Sequence, residues 1–350
     1  MSTRAMVIAG GTAYDHRQQT KQAKESCRMF SEGFLTVFLM VVLTIGILIT
    51  IVLIKGRARQ QTVASLSHWS QPPSRFVEVN GLKVHYRDEG EGPVLILLHG
   101  LFSSLHTWEK WVNLLQDRYR IIRIDVPNFG LTGPFPNSKV DDQTYMQFLE
   151  NFVTTLKLER FHLAGNSLGG YFAYQYASRY PQRVNRLVML NAAGYFFIPP
   201  AALIAWGMPL LGRIADYTEA PYGLFASLVR RAYADPSKAT SDEIRRYNEL
   251  LHRDGNRAAG GRLIRHIRNC VGFDTSRTQL LTMPTLIMWG DQDHWIPVRH
   301  APKYHQAIPG SELIVYPNVG HMPMEEIPEQ SARDLIQFLD AAQESSVCNA

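Results

Sequence analysis

Residues 159–175 read Glu-Arg-Phe-His-Leu-Ala-Gly-Asn-Ser-Leu-Gly-Gly-Tyr-Phe-Ala-Tyr-Gln, and this stretch decides the fold. A short apolar run ends in Gly165-Asn166-Ser167-Leu168-Gly169, and a helical pattern starts at once. G-x-S-x-G between a strand and a helix puts a serine on a sharp turn, with its hydroxyl lifted out of the sheet. The glycines serve a steric need, because such a turn leaves no room for neighbouring side chains. The helix that follows aims its N-terminus at any negative charge forming beside the serine. Five residues alone match by chance. The strand before them and the helix after them make Ser167 a candidate nucleophile rather than a solvated turn residue.

Outward from this turn the chain alternates between strand and helix patterns. Strands are predicted at 75–79, 82–87, 93–98, 119–126, 161–164, 184–190, 285–289 and 313–316. The first pair, joined by Asn80-Gly81, reads as a hairpin. Helices are predicted at 107–115, with Thr107 as N-cap, and at 142–156, 168–179, 301–307 and 330–342. Such alternation implies an α/β protein with a mainly parallel sheet and helices on both faces. Residues 195–278 break the alternation and read as helices only, one of them opened by the capping-box pattern Thr240-Ser241-Asp242-Glu243. They form an expected helical cap above the carboxyl ends of the strands. Its start is rich in Phe, Leu, Ile, Trp and Met. Its arginines, such as Arg230, Arg245 and Arg265, read first as solvated helix faces and second as contacts to anionic headgroups.

Residues 34–54, FLTVFLMVVLTIGILITIVLI, carry no charge. As a helix they would span roughly 30 Å, the hydrocarbon thickness of a bilayer. Lys55, Arg57 and Arg59 follow and no small-residue cleavage site does, so a single-pass transmembrane anchor holding membrane lipid is expected rather than a signal peptide. Arg17, Lys21, Lys24 and Arg28 precede the span, so the balance of basic charge leaves its orientation open. Residues 1–33 are expected to be disordered, 55–74 to be a linker, and 75–345 to hold the folded domain.

Of the 350 residues 45% are hydrophobic and 19% charged, enough for a sizeable core. The formal net charge of +5 comes without a long Lys/Arg block, so no nucleic-acid partner is expected. Cys27, Cys270 and Cys348 lie far apart and suggest neither a zinc site nor a disulfide framework. No cofactor, metal or obligate protein partner is implied.

A serine hydroxyl needs an adjacent base, and that base needs an orienting acid. In sheets with this kind of turn the acid and then the histidine follow the serine along the chain. The acid comes from Leu286-Ile-Met-Trp-Gly-Asp-Gln-Asp-His-Trp-Ile-Pro297, where Asp291 and Asp293 both sit in the loop after a strand. The base is His321, after another strand and a glycine. His85 and His99 belong to early strands, His294, His300 and His305 follow the acid loop, and His106 could border the site. Acyl transfer also needs two fixed N–H donors for the oxyanion. Leu168 supplies one. The loop His99-Gly100-Leu101-Phe102 supplies the other, with Leu101 the first choice and Phe102 the second.

LHGLF, GNSLGG, WGDQDHWIP and VGHMPMEE, in this order, resemble the α/β-hydrolase family over roughly residues 75–342. The resemblance implies an eight-stranded sheet. Its acid loop, similar to W-G-x-x-D-x-x-x-P, matches Trp289, Gly290 and Pro297 and selects Asp293 as the acid. A serine nucleophile argues against the epoxide hydrolases and haloalkane dehalogenases of the family, which use aspartate. One departure is Asn128 in Asp125-Val-Pro-Asn-Phe-Gly130, where similar sequences carry glycine; Asn tolerates positive φ, so the loop should survive. The implied activity is a serine esterase or lipase, similar to membrane-tethered monoacylglycerol lipases, acting on a lipophilic, monoacylglycerol-like ester through an acyl-enzyme. Two further readings are a C–C bond hydrolase of ring-cleavage products with the same triad, and a non-catalytic binding protein on this fold. The C–C hydrolases commonly carry Trp after the catalytic His, where this chain has Met322. Tyr195, Phe196, Phe197, Trp206 and Trp295 could line the pocket or simply pack.

Overall fold

A computed structural model describes residues 21, 34–44, 46–47, 50, 60–270 and 273–341. The chain divides into two units, Met1–Arg57 and Ala58–Ala350. In the first, residues 34–44 are helical and exposed. The expected single-pass anchor over 34–54 is corrected here: among the described residues no helix is long and apolar enough to cross a membrane. Residues 45, 48–49 and 51–54 of that span lie outside the described residues, as does nearly all of 1–33. A membrane address is therefore not assigned.

The second unit is built on a single eight-stranded sheet in the order β1-β2-β4-β3-β5-β6-β7-β8. The strands are β1 Arg75–Val79, β2 Leu82–Glu89, β3 Val94–Leu98, β4 Arg120–Ile124, β5 Phe161–Asn166, β6 Val184–Leu190, β7 Thr285–Gly290 and β8 Glu312–Tyr316. The β1–β2 and β2–β4 pairs are antiparallel. Every later pair is parallel. The central strands are apolar on both faces, as strands covered on both sides must be. In β3, Ile96 and Leu98 face one core with Leu163, Met189 and Trp289. Leu95 and Leu97 face the other with Ala164, Leu190 and Met288. Asp142–Thr155, Leu168–Arg179 and Ala301–Ala307 cover the first face. Glu109–Leu115 and Pro328–Asp340 cover the second.

The helix expected at 107–115 is shorter, because Leu105–Trp108 forms a 3₁₀ turn first. Thr107 does not cap it; its hydroxyl is drawn to Glu325, 2.6 Å away. Asn128 adopts φ 78° as expected, and its side chain closes the loop onto Tyr145 and the Phe135 N–H. Between β6 and β7 the chain forms the cap: helices Ala201–Gly207, Pro209–Ala215, Tyr222–Arg230, Ser241–Leu251 and Asn256–Asn269. The capping box at Thr240 forms. Residues 60–74 do not hang free, since Gln61 exchanges backbone hydrogen bonds with His252 and Asp254 and Leu66 is buried.

Candidate active site

The loops that follow β3, β5, β7 and β8 all leave the carboxyl edge of the sheet, where parallel α/β sheets bind ligands. Ser167 directly follows β5, at φ 57° and ψ −119°, a strained conformation for a residue with a side chain. Its neighbours hold it there. Its N–H donates to Leu190 O at 2.9 Å, and its carbonyl accepts from Ala193 N at 3.0 Å. A Cβ at Gly169 would strike the Leu98 carbonyl and stand 2.6 Å from the His99 carbonyl. A Cβ at Gly165 would strike the Gly169 carbonyl. Both glycines of the motif are thus required by close backbone approach rather than by φ.

His321 lies five residues after β8. Its N–H donates to the cap carbonyl of Ala232 at 2.6 Å. Its own carbonyl accepts from Asn166 Nδ2 at 3.0 Å, so the residue before the serine secures the histidine loop. Nδ1 of His321 stands 2.7 Å from Asp293 Oδ2, and both residues are buried. Asp293 Oδ2 also accepts from Asn191 Nδ2, and Oδ1 accepts from the N–H groups of Trp295 and Ile296. A carboxylate so placed accepts only, so Nδ1 carries the ring proton and Nε2 is left with its lone pair. Nε2 has no partner among the described residues. The Trp295 ring stacks on the imidazole with centroids 6.1 Å apart. Asp291 is placed elsewhere: its Oδ1 accepts from Asn318 N–H and closes the loop after β8.

After β3, Ser103 N–H donates to Gly100 O at 3.2 Å, closing a turn in which Phe102 takes φ 57°. The N–H groups of Leu101, Phe102 and Leu168 have no acceptor among the described residues. Leu101, Phe102, Ser167, Leu168 and His321 all line one cavity of about 430 Å³. Its remaining wall is mostly apolar and comes largely from the cap, with Phe197, Trp206 and Trp295 among the lining residues. Tyr195 instead packs on Tyr304, and Phe196 is 79% exposed. Ser167 Oγ makes no hydrogen bond to the described residues. A resting nucleophile and base often tighten only around substrate.

His99, His85 and His106 have structural partners, whereas both ring nitrogens of His300 are buried without a hydrogen-bond partner among the described residues. His99 bridges Gly100 O and Val126 N. His85 pairs with Asp125, and His106 is buried against the Trp69 carbonyl, off the cavity. Burial lowers the pKa of His106 well below the usual value, so it stays neutral. Among the described residues no cluster of three or more His, Cys, Asp or Glu could hold a metal.

Sequence reasoning assigned no role to Asn166, Asn191, Glu325 or Glu326. Glu325 and Glu326 lie just past the histidine, and their burial was invisible in an acidic pair. Glu325 Oε1 accepts from Arg246 at 2.9 Å, and its Oε2 accepts from the Tyr233 hydroxyl. Glu326 accepts from Gly320 N–H at 2.8 Å and from Ala234 N–H at 2.9 Å. The pair thereby ties the histidine loop to the cap.

A putative lipase of Acinetobacter baumannii superposes with a TM-score of 0.68 at 25% identity, covering 80% of this chain and 94% of that one. A meta-cleavage product hydrolase of Pseudomonas fluorescens also gives 0.68 at 25% identity, covering 77% and 98%. By sequence, a 2-hydroxy-6-oxononadienedioate/2-hydroxy-6-oxononatrienedioate hydrolase of Cupriavidus pinatubonensis is 26% identical over 277 residues, 76% of this chain and 95% of that one. The family model for the alpha/beta hydrolase fold matches residues 93–328, from the strand before the Gly100 turn to the first residue of the closing helix. With that match joined to the sheet order and the serine turn, the chain belongs to the α/β-hydrolase family and is a hydrolase by kinship.

Proposed function

We propose that the protein is a serine hydrolase of lipophilic carboxylic esters, working through an acyl-enzyme on Ser167. The observation that carries this reading is the His321–Asp293 hydrogen bond, with His321 and Ser167 both lining one mostly apolar cavity. His321 Nε2 takes the hydroxyl proton as Ser167 Oγ attacks the ester carbonyl. Asp293 holds the ring in the tautomer that leaves Nε2 free and stabilises the imidazolium that forms. The Leu168 N–H, at a helix start, and the Leu101 N–H, with Phe102 beside it, receive the carbonyl oxygen as it becomes negative. Each such donor contributes about 3 kcal/mol to the barrier reduction. His321 then passes the proton to the leaving alcohol, and water activated by the same ring releases the acid. The cavity's apolar wall supports an acyl chain of several carbons, as in a monoacylglycerol-like ester.

A second reading is favoured by the named relatives: hydrolysis of a C–C bond in a ring-cleavage product. One experiment separates the readings. A fluorophosphonate probe should label the wild type and fail on Ser167→Ala. Turnover should be strong on p-nitrophenyl esters and weak on a vinylogous diketone. The reverse preference would install the C–C reading. A folded wild type that takes no label would make this a binding protein.

A further inference from the structure

Two cavities share a wall. The larger, of about 430 Å³, is lined by Ser167, His321 and the oxyanion turn. The smaller, of about 200 Å³, lies between the start of the helix Asp142–Thr155, the helix Leu168–Arg179 and the cap helix Asn256–Asn269. Leu168, Ile267 and Phe273 line both, so these three side chains stand between them. Leu168 directly follows Ser167, and the wall therefore begins beside the nucleophile. All three pack against the core on the first face of the sheet. The Phe273 ring also meets Tyr171, with centroids 4.7 Å apart, and the Tyr171 hydroxyl is tied to Asp142.

The far side of the wall is polar. Asp142, Tyr171, His266, Cys270 and Asp274 line the smaller cavity. The Asp142 carboxylate accepts from Tyr171, and Cys270 Sγ lies 3.6 Å from His266 Nε2. A hydrocarbon pushed past Phe273 would strip water from these groups and offer no hydrogen bond in return. The wall is thus a stop by shape and by polarity together. The cap side of the larger cavity has no such stop. Leu203, Leu211, Leu224 and Leu228 line it there, and Leu211 and Leu224 are also exposed, so a chain leaving that way meets apolar side chains and then solvent.

An ester has two arms, its acyl chain and the carbon chain of its alcohol. We propose that Phe273, with Ile267, is the specificity-determining wall that holds one of these arms to a short group, while the other arm extends toward the cap opening. This rests on the ester-hydrolase reading above. The limit should be sharp, because an apolar pocket separates substrates that differ by one methylene by roughly 10–200-fold.

Two ester series read the arms separately: methyl esters of straight-chain acids from acetate to laurate, and acetates of straight-chain alcohols from methanol to dodecanol. In the wild type one series should collapse in kcat/KM at a short length, by about tenfold or more for the first methylene past the limit, while the other tolerates long chains. Phe273→Ala should move that collapse to longer chains in that series alone, and Phe273→Trp should move it to shorter ones. Ile267→Ala should repeat the shift of Phe273→Ala and serves if that variant melts early. Two series of equal tolerance in the wild type would overturn the proposal. A collapse that stays in place in both alanine variants would overturn it too. So would an equal loss at every chain length, which would assign the Phe273 ring to packing on Tyr171 alone. A folded wild type that hydrolyses neither series would sink the ester reading and the wall's role with it, a different failure that the labelling experiment detects independently.

Discussion

Arg246 and Glu325 make the sharpest stability test, because both charges are buried and the pair joins cap to core. Arg246 Nη2 lies 2.9 Å from Glu325 Oε1, and both residues are less than a tenth exposed. Burial works against the Arg246 charge, but the Glu325 carboxylate acting together with Tyr247, Tyr233 and Glu243 outweighs it and raises the arginine's pKa. Arg246→Met leaves Glu325 as an unpaired buried carboxylate. Removing one partner of such a pair typically costs about 3–5 kcal/mol. A fold of this size has roughly 5–15 kcal/mol in total, and its Tm moves about 2–4 °C per kcal/mol, so Tm should fall by roughly 6–20 °C. Arg246→Met with Glu325→Leu removes both charges. What remains is the loss of an acceptor for the hydroxyls of Thr107 and Tyr233, about 1–3 kcal/mol each. The double variant should therefore lose far less than the sum of the two single variants. Urea unfolding at pH 7, read as a change in midpoint at constant slope, gives all three numbers. A loss below about 1 kcal/mol for Arg246→Met, or strict additivity in the double variant, would refute the claim that this pair bolts the cap to the sheet.

Three further outcomes follow from other parts of the structure. Asp125 is buried beside His85 and accepts from the N–H groups of Leu105 and Leu131; burial would raise its pKa, but His85 together with His99 and His106 outweighs burial and holds it well below the usual carboxylate range. A depressed carboxylate stabilises the fold fully above its unfolded value of about 3.9 and loses that contribution as pH falls toward the folded value. Wild-type stability should thus drop more steeply below pH 4 than that of Asp125→Asn, as measured by denaturant midpoints across acid pH. Asp293→Asn should cut kcat on the order of 10³–10⁴-fold by favouring the wrong His321 tautomer, while Asp291→Asn should stay within about twofold in the same ester assay. Gly169→Ala should abolish fluorophosphonate labelling or lower the unfolding free energy read from denaturant titration by about 1–3 kcal/mol, since its methyl group enters the backbone of Leu98 and His99.

The sheet was legible because its strands announce themselves twice. Most central strands are largely apolar runs, and several are bounded by Gly, Asn or Pro where the chain must turn. The candidate serine, acid and histidine could be proposed for a different reason: the order in which they leave the sheet is a property of the topology, and the resembled acid-loop pattern favoured Asp293 over Asp291. Thr107 shows where local reasoning stops. As a hydroxyl residue before an amphipathic stretch it resembles a cap, but Glu325, more than two hundred positions away, accepts its hydrogen bond. The anchor shows a second limit. An uncharged run of the right length states what a segment could do in lipid, while among the described residues no helix is long and apolar enough to cross a membrane. Asn166 and Asn191 were hidden because an amide in a loop reads as a turn former, and only the fold reveals which carbonyl or carboxylate it holds.

The cap is not fastened evenly, and this bears on how substrate reaches Ser167. Its 232–257 half is bonded to the catalytic loop through Ala232 with His321, Ala234 with Glu326, and Arg246 with Glu325. Lifting it as one piece would break the buried ion pair and release the histidine backbone at the same moment. Its 196–224 half has a different character, with Phe196, Ile198, Leu210, Leu211, Tyr222 and Leu224 exposed. Leu211 and Leu224 also line the cavity, so an apolar path runs from solvent to the serine on that side. On the ester-hydrolase reading proposed above, adjustment of 201–230 would admit a hydrocarbon chain while the His321–Asp293 pair stays assembled. The half bonded to the His321 loop would then hold the proton-transfer geometry, and the other half would give the tolerance a flexible acyl chain requires.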